Sequence, residues 1–343
     1  MEQDGHVLFF YLGTGNEKNV RVIGDFRTRN FYNVYWDEQG EAMTRATEDS
    51  ALFYKRMRFE KDARLDYKFS VDGKYITDPL NPRVIESGTA PASQEEPVAK
   101  ASQLVMPEYV LPETENGSNI PHGKLLVLEE EWAKPKVTIY LPPDYDASKK
   151  YPVLYTADGS AWINFVKLPA TLDRLIAERR IEPILAVMID STEDRRTWYY
   201  YNPQYLSYLE KVVHYIESHY STRATPENRL HAGSSAGGSI TLYVGLQRPD
   251  LFRNLAMLSP SLTGPPHFYE PYFSGRKRPD PKLKLWLSAG TYEGYIHSDA
   301  LTMEKYFNSV RLKTKVVYSH EGHSFGHWRR MAGEMLLYFF ASS

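Results

Sequence analysis

The chain has 343 residues, 42% hydrophobic and 14% aromatic, enough for about two packed domains and too apolar for a disordered or fibrous class. Its 41 basic and 43 acidic residues are interspersed to a net charge of −2, which argues against nucleic acid or an anionic membrane as partner. There is no cysteine, so disulfides, thiolate metal sites and a Cys nucleophile are excluded.

No apolar run reaches the ~18 residues that a membrane-spanning helix needs. The first ten residues lack the charged-then-apolar pattern of a secretion signal, although removal of such a signal would leave the same pattern. The expectation is a soluble protein, cytoplasmic as the chain stands and periplasmic or secreted if a signal was removed.

The front of the chain reads as short strands at Val7–Leu12, Asn19–Ile23, Leu52–Phe59 and Leu65–Val71. Gly-Asn, Asp-Gly and Asn-Pro steps punctuate them without any long 3.6-residue period, which predicts a β-sandwich. Residues 87–122 turn rich in Pro, Ser, Glu, Gly and Asn and read as a linker or crossing segment. The expected division is a sandwich domain with its linker over 1–112 and a second domain over 113–343.

From Lys124 onward strands and helices alternate. Lys124–Leu128 and Lys136–Leu141 read as paired opening strands. Val153–Thr156, Ile184–Ile189, Arg229–Gly233, Leu255–Leu258, Leu283–Ser288 and Lys315–Ser319 are short apolar runs of the kind buried in parallel sheets. Leu206, Leu209, Val213, Ile216 and Tyr220 keep helical spacing, as do Trp328, Met331, Met335, Leu336 and Phe339. This alternation predicts an α/β fold with a mostly parallel sheet covered on both faces.

Gly233-Ser234-Ser235-Ala236-Gly237-Gly238 falls between a strand-like run and a helical stripe. G-x-S-x-G in that setting is a nucleophile elbow. Its central hydroxyl projects above the sheet edge at a helix N-terminus, and the N–H of Ala236 faces a developing oxyanion. Such folds place the acid and then the base after later strands. Glu293 is the sole carboxylate in the turn that follows Leu283–Ser288. Asp299 comes later, where capping the helix Ala300–Phe307 explains it.

After the last strand come His320-Glu321-Gly322-His323-Ser324-Phe325-Gly326-His327. His323 is the expected base, because Gly322 gives its loop freedom to swing, with His320 on the strand end and His327 at the start of the last helix. A rival reading makes the three histidines a metal site, but the glycines break any regular helix face and no acidic partner motif accompanies them. The loop after Val153–Thr156 offers Gly159 as second oxyanion donor and Trp162 as a pocket wall.

These residues resemble the enterochelin (siderophore) esterase-like branch of the α/β-hydrolases, which also contains feruloyl esterases. The resemblance covers most of 124–340. It rests on Asp158-Gly159 with Trp162, the Gly233–Gly238 run, Gly290-Thr291-Tyr292-Glu293, and Gly322-His323 followed by Trp328-Arg329. The front half resembles the early-set immunoglobulin-like domain that precedes such esterases, through Val22–Phe26, Tyr67-Lys68-Phe69 with Val71-Asp72-Gly73, and Asp78–Pro82. Related domains bind glucan through a Trp soon after Gly-Asp-Phe, and this chain has none in Arg27–Tyr32. Siderophore esterases often show Arg then Glu three places on; here Arg196 is followed by Tyr199. An aromatic pair that often follows Ser-x-Ser is replaced by Leu262-Thr263.

The resemblance implies an α/β-hydrolase fold behind an immunoglobulin-like sandwich and a Ser235–His323–Glu293 triad, with Ala236 and Gly159 as oxyanion donors. Trp162, Arg196 (or Arg195), Tyr199 and Trp328 become candidate substrate contacts, and no cofactor or metal is needed. The expected partner is a small-molecule ester, a catecholate siderophore or a hydroxycinnamoyl ester. Three functions follow: a siderophore-type esterase, a feruloyl, acetyl or other cell-wall esterase, and an inactive hydrolase-fold binding protein. A reagent that traps activated serines separates the last from the others.

Overall fold

The computed structural model describes residues 4–27, 36–87, 99–111, 120–199, 203–262 and 269–342. It divides into two units. The first comprises residues 1–111, 289–298 and 318–327, and the second comprises 112–288, 299–317 and 328–343.

In the first unit the strands are β1 (His6–Leu12), β2 (Val20–Gly24), β3 (Glu41–Ala42), β4 (Thr44–Arg45), β5 (Leu52–Arg58), β6 (Arg64–Val71), β7 (Lys74–Ile76), β8 (Val84–Glu86) and β9 (Lys100–Val105). They form one sheet in the order β1-β5-β4 and another in the order β3-β2-β6-β9-β8, with β7 paired to β6. The pairings among these described strands are antiparallel. Alternation sends Val7, Phe9 and Phe53 of one sheet, and Val20, Val22, Leu65, Tyr67 and Phe69 of the other, into a shared buried core. An all-β sandwich at the front of the chain is therefore present. The tract read as linker over 87–122 contains β9, which pairs with both β6 and β8. Six residues flanked by Pro- and Ser-rich sequence carry too short a pattern to stand out.

The second unit opens with β10 (Lys124–Val127) and β11 (Val137–Leu141), which are antiparallel to each other. There follow β12 (Val153–Ala157), α1 (Gly159–Asn164), α2 (Leu168–Ala177), β13 (Leu185–Ile189), α3 (Arg195–Tyr199), α4 (Pro203–His219), β14 (Arg229–Ser234) and α5 (Ala236–Gln247). Next come β15 (Asn254–Leu258), α6 (Glu270–Phe273), β16 (Lys284–Gly290), α7 (Tyr295–Ser309), β17 (Lys313–Ser319) and α8 (Phe325–Phe340). The sheet order is β10-β11-β13-β12-β14-β15-β16-β17. Strands β13, β12, β14, β15 and β16 run parallel, and β12 to β15 are buried almost throughout. This is the α/β-hydrolase fold.

Strand order reverses across β12: the chain moves outward to β13, then returns to β14 on the other side. Open α/β sheets place ligands where the carboxyl ends of such strands diverge. The loops after β12 and β14 carry Gly159 and Ser235. Asp299 does not cap a helix, because α7 begins at Tyr295. Its half-buried carboxylate instead accepts the Leu262 N–H at 2.7 Å and holds the loop after β15.

Candidate active site

Ser235 stands between β14 and α5 with φ 56° and ψ −124°. A left-handed φ costs a non-glycine residue energy, and it turns the chain abruptly from strand to helix. The serine itself takes this turn. Gly233 serves close approach, since a Cβ there would overlap the Gly237 carbonyl. The Ser235 N–H donates to the Leu258 carbonyl at 2.9 Å, which anchors the elbow to β15. Ala236 is the first residue of α5, where backbone N–H groups have no intrahelical acceptor.

The neighbouring loop has a matching turn. Asp158 precedes α1 at φ 63°, and its carboxylate receives a forked pair from Arg195 at 2.6 Å and 2.6 Å. The same guanidinium donates to the Ser234 carbonyl at 3.3 Å. Arg195 thus ties the Gly159 loop to the elbow, through the planar geometry suited to a carboxylate. The side chain of Arg196 lies outside the described residues, as do Tyr200 and Tyr201.

Three expected substrate contacts are buried instead. Trp162 is 0% exposed, because α1 turns the indole into the core. Tyr199 is also 0% exposed, and its hydroxyl accepts the Asp158 N–H at 2.8 Å. Burial, then the Asp158 charge, pushes its phenol well up, so it stays neutral. Trp328 is buried on α8 and donates its indole N–H to Ser259 Oγ at 2.9 Å. These aromatics brace the loops from behind. Aromatic residues suit a core or a pocket wall equally well, so sequence did not separate the two roles.

Sequence reasoning missed a buried chain behind the elbow. Tyr205 Oη lies 2.7 Å from His231 Nε2, and His231 Nδ1 lies 2.8 Å from Thr241 Oγ1. Thr241 donates to the Gly237 carbonyl at 2.8 Å. Its single proton is thereby used, so His231 Nδ1–H donates to Thr241 and Nε2 accepts from Tyr205. Burial lowers the His231 imidazole to about 3, which keeps it neutral. The signal in the sequence was a polar ring inside the apolar run Arg229–Gly233.

The acid and base candidates lie in the first unit. Glu293 follows β16 and His323 follows β17, and both are buried. Glu293 Oε1 sits 3.0 Å from His323 Nδ1 and 3.6 Å from His327 Nδ1, while Oε2 accepts the Gly290 N–H at 2.9 Å. Burial opposes the Glu293 charge. Bonds to His323, then to His327, outweigh it and hold the carboxyl well below the usual range. A carboxylate on Nδ1 fixes the imidazole with Nε2 as the basic nitrogen.

His327 lies in the first turn of α8, as expected, but is 0% exposed against Glu293 rather than peripheral. His320 lies just past β17 and pairs with Asp62 at 2.6 Å. His323 and His327 thus share Glu293, while His320 turns away to Asp62. Among the described residues no cluster of three or more His, Cys, Asp or Glu side chains is placed to hold a metal ion. Gly322 is not a hinge: a Cβ there would overlap the Asp25 carboxylate, so the glycine permits tight packing.

The Esterase family model matches residues 132–332. Among solved structures, the enterobactin esterase FES from Shigella flexneri, crystallised in the presence of enterobactin, superposes with a TM-score of 0.76 at 18% identity. That match covers 97% of this chain and 92% of the other. The uncharacterized protein YjcH of Bacillus subtilis (strain 168) is 24% identical over 168 residues, 47% of this chain and 68% of YjcH. An endo-1,4-beta-xylanase/feruloyl esterase of Xylanibacter ruminicola is 28% identical over 148 residues, 39% of this chain. The chain spans only 20% of that relative's length.

Proposed function

The chain belongs to the Esterase family, and on that premise we propose that it cleaves esters by two-step acyl transfer with Ser235 as nucleophile, His323 as general base and Glu293 as orienting acid. Ser235 Oγ attacks the ester carbonyl while His323 Nε2 takes its proton. The imidazolium then protonates the leaving alcohol, water repeats the sequence, and the free acid departs. Glu293 stabilises the transient imidazolium and fixes the tautomer. The N–H groups of Ala236 and Gly159 receive the oxyanion.

The observation that carries this reading is the backbone of Ser235, at φ 56° and ψ −124° between a buried strand and a helix. A strained serine at that strand-to-helix junction is the form a nucleophile elbow takes in this fold. The carboxylate 3.0 Å from His323 Nδ1 supports the base assignment.

For substrate we propose an ester that carries aromatic groups, of the catecholate siderophore type. Support comes from the likeness to an enterobactin esterase over 97% of this chain, front sheets included. A hydroxycinnamoyl ester is the second reading, favoured by the Xylanibacter relative.

The test is a fluorophosphonate probe followed by peptide mass spectrometry. The expected result is one adduct, on Ser235, with labelling slowed in His323→Ala. An adduct elsewhere, or turnover without any adduct, would contradict the mechanism. Parallel rates on an enterobactin-type trilactone, methyl ferulate and tributyrin decide the substrate class. Fastest turnover of the triglyceride would contradict both readings.

A further inference from the structure

Strand β6 of the front sandwich carries a buried guanidinium whose bonds go to the loop bearing His323. Alternation along β6 places Arg64, Asp66 and Lys68 on the face opposite the apolar core. The Arg64 side chain is 3% exposed. Its Nη1 donates to Ser324 Oγ at 3.0 Å and lies 3.6 Å from Glu321 Oε2. Its Nη2 donates to Asp66 Oδ1 at 2.9 Å. The Arg64 backbone N–H donates to the His320 carbonyl at 3.0 Å. His323 is therefore bracketed on both sides, at 320–321 and at 324, by bonds from one residue.

The neighbouring groups strengthen the clamp. Asp25 accepts the Asp66 N–H at 2.8 Å and the Trp36 indole N–H at 2.9 Å, and it packs against Gly322. The charged or titratable groups facing the guanidinium are Asp66, Glu321, Tyr109 and Asp25. Burial opposes the Arg64 charge, but Asp66 and then Glu321 hold the proton on it. Desolvation makes a buried ion cluster a poor source of stability, and apolar side chains of similar volume would hold a loop at lower cost. A fork that fixes several bond directions at once does what apolar packing cannot.

We propose that Arg64 is a positioning residue for catalysis: its guanidinium, bonded to Ser324 and Asp66 beside Glu321, sets the position and charge environment of the His323 imidazole. This rests on His323 being the base. The front sandwich then contributes to turnover through the loop it grips.

The test measures kcat, KM and the pH profile of kcat/KM on p-nitrophenyl acetate, with full-length Arg64→Met, Arg64→Lys and Glu321→Gln. Ser235→Ala and His323→Ala run in parallel. If those two variants keep wild-type turnover, the triad reading fails, and the inference fails with it. If they are inactive, the clamp is tested on its own. Displacement of a catalytic group by about 1 Å can cost about 100-fold, so Arg64→Met should lower kcat by that order at nearly unchanged KM. It removes the positive charge beside Glu321, and a Glu321 carboxylate that stays ionised then favours the His323 imidazolium, so the acid limb should move to higher pH. Glu321→Gln removes a negative charge and should move that limb to lower pH. Arg64→Lys keeps the charge without the fork, so the limb should stay while kcat falls. A merely structural role would lower the melting temperature and leave the limb in place. Should Arg64→Met fail to fold, Glu321→Gln decides: an unmoved limb overturns the inference. Wild-type kcat in all three variants overturns it as well.

Discussion

Ser235 and Glu293 show how single residues absorb costs that the fold imposes. The serine accepts an unfavourable φ, and the elbow is held by bonds to the Leu258 carbonyl and from Gly238 N–H to the Ser235 carbonyl at 2.9 Å. Glu293 accepts complete burial, offset by His323, His327 and the Gly290 N–H. Glu293→Gln should keep the shape and lose the charge that supports the imidazolium, lowering kcat by about 10²–10⁴-fold at similar KM. The pH sign follows from the depressed carboxyl. A carboxylate lowered below its usual value of 4.5 contributes stability that is fully present above about pH 4.5 and lost as pH falls through its folded value. The melting-temperature gap between wild type and Glu293→Gln should therefore be constant from pH 5 to about 8 and shrink below pH 4.5. A gap that shrinks only above pH 6 would contradict the assignment of the charge to Glu293.

At the scale of elements, the strand–turn–helix junctions were legible because glycines and hydroxyls interrupt apolar runs at a few points only. The elbow at β14–α5 and the turns after β16 and β17 follow directly from that punctuation. Side-chain direction was less legible. Trp162, Tyr199 and Trp328 lie near the loops in sequence, yet each points inward, and nothing in spacing reports which way a short helix such as α1 or α3 faces. Gly322 illustrates the same limit. A glycine beside a histidine reads as a hinge, whereas the structure uses it for contact with Asp25. Gly322→Ala should therefore act as overpacking, destabilising the protein by about 1–3 kcal/mol and lowering kcat. Thermal denaturation and steady-state rates check this. An alanine variant with wild-type stability and reduced kcat would restore the hinge reading.

Over the whole molecule, the change of rhythm near Lys124 made two architectures readable, a sandwich and an α/β-hydrolase fold. The division of labour was not readable, because it depends on contacts far apart in sequence. Residues 289–298 and 318–327 belong with the front sheets as one unit, through contacts such as Arg64 with Ser324, His320 with Asp62, and Tyr292 with Glu60 at 2.5 Å. Each partner is unremarkable alone: an Arg on a strand, a Ser before a helix, a Glu in a turn. Only the folded chain joins them across some 230 to 260 positions. Under the proposed mechanism the sandwich supports the loops that bear Glu293 and His323 as acid and base, and the β14–α5 elbow carries Ser235 as nucleophile. That account stands or falls with the one hydroxyl at the elbow. The most direct measurement is kcat/KM for p-nitrophenyl acetate in purified Ser235→Ala of wild-type melting temperature. The account predicts a fall of at least about 10³-fold; turnover retained within about tenfold would contradict it.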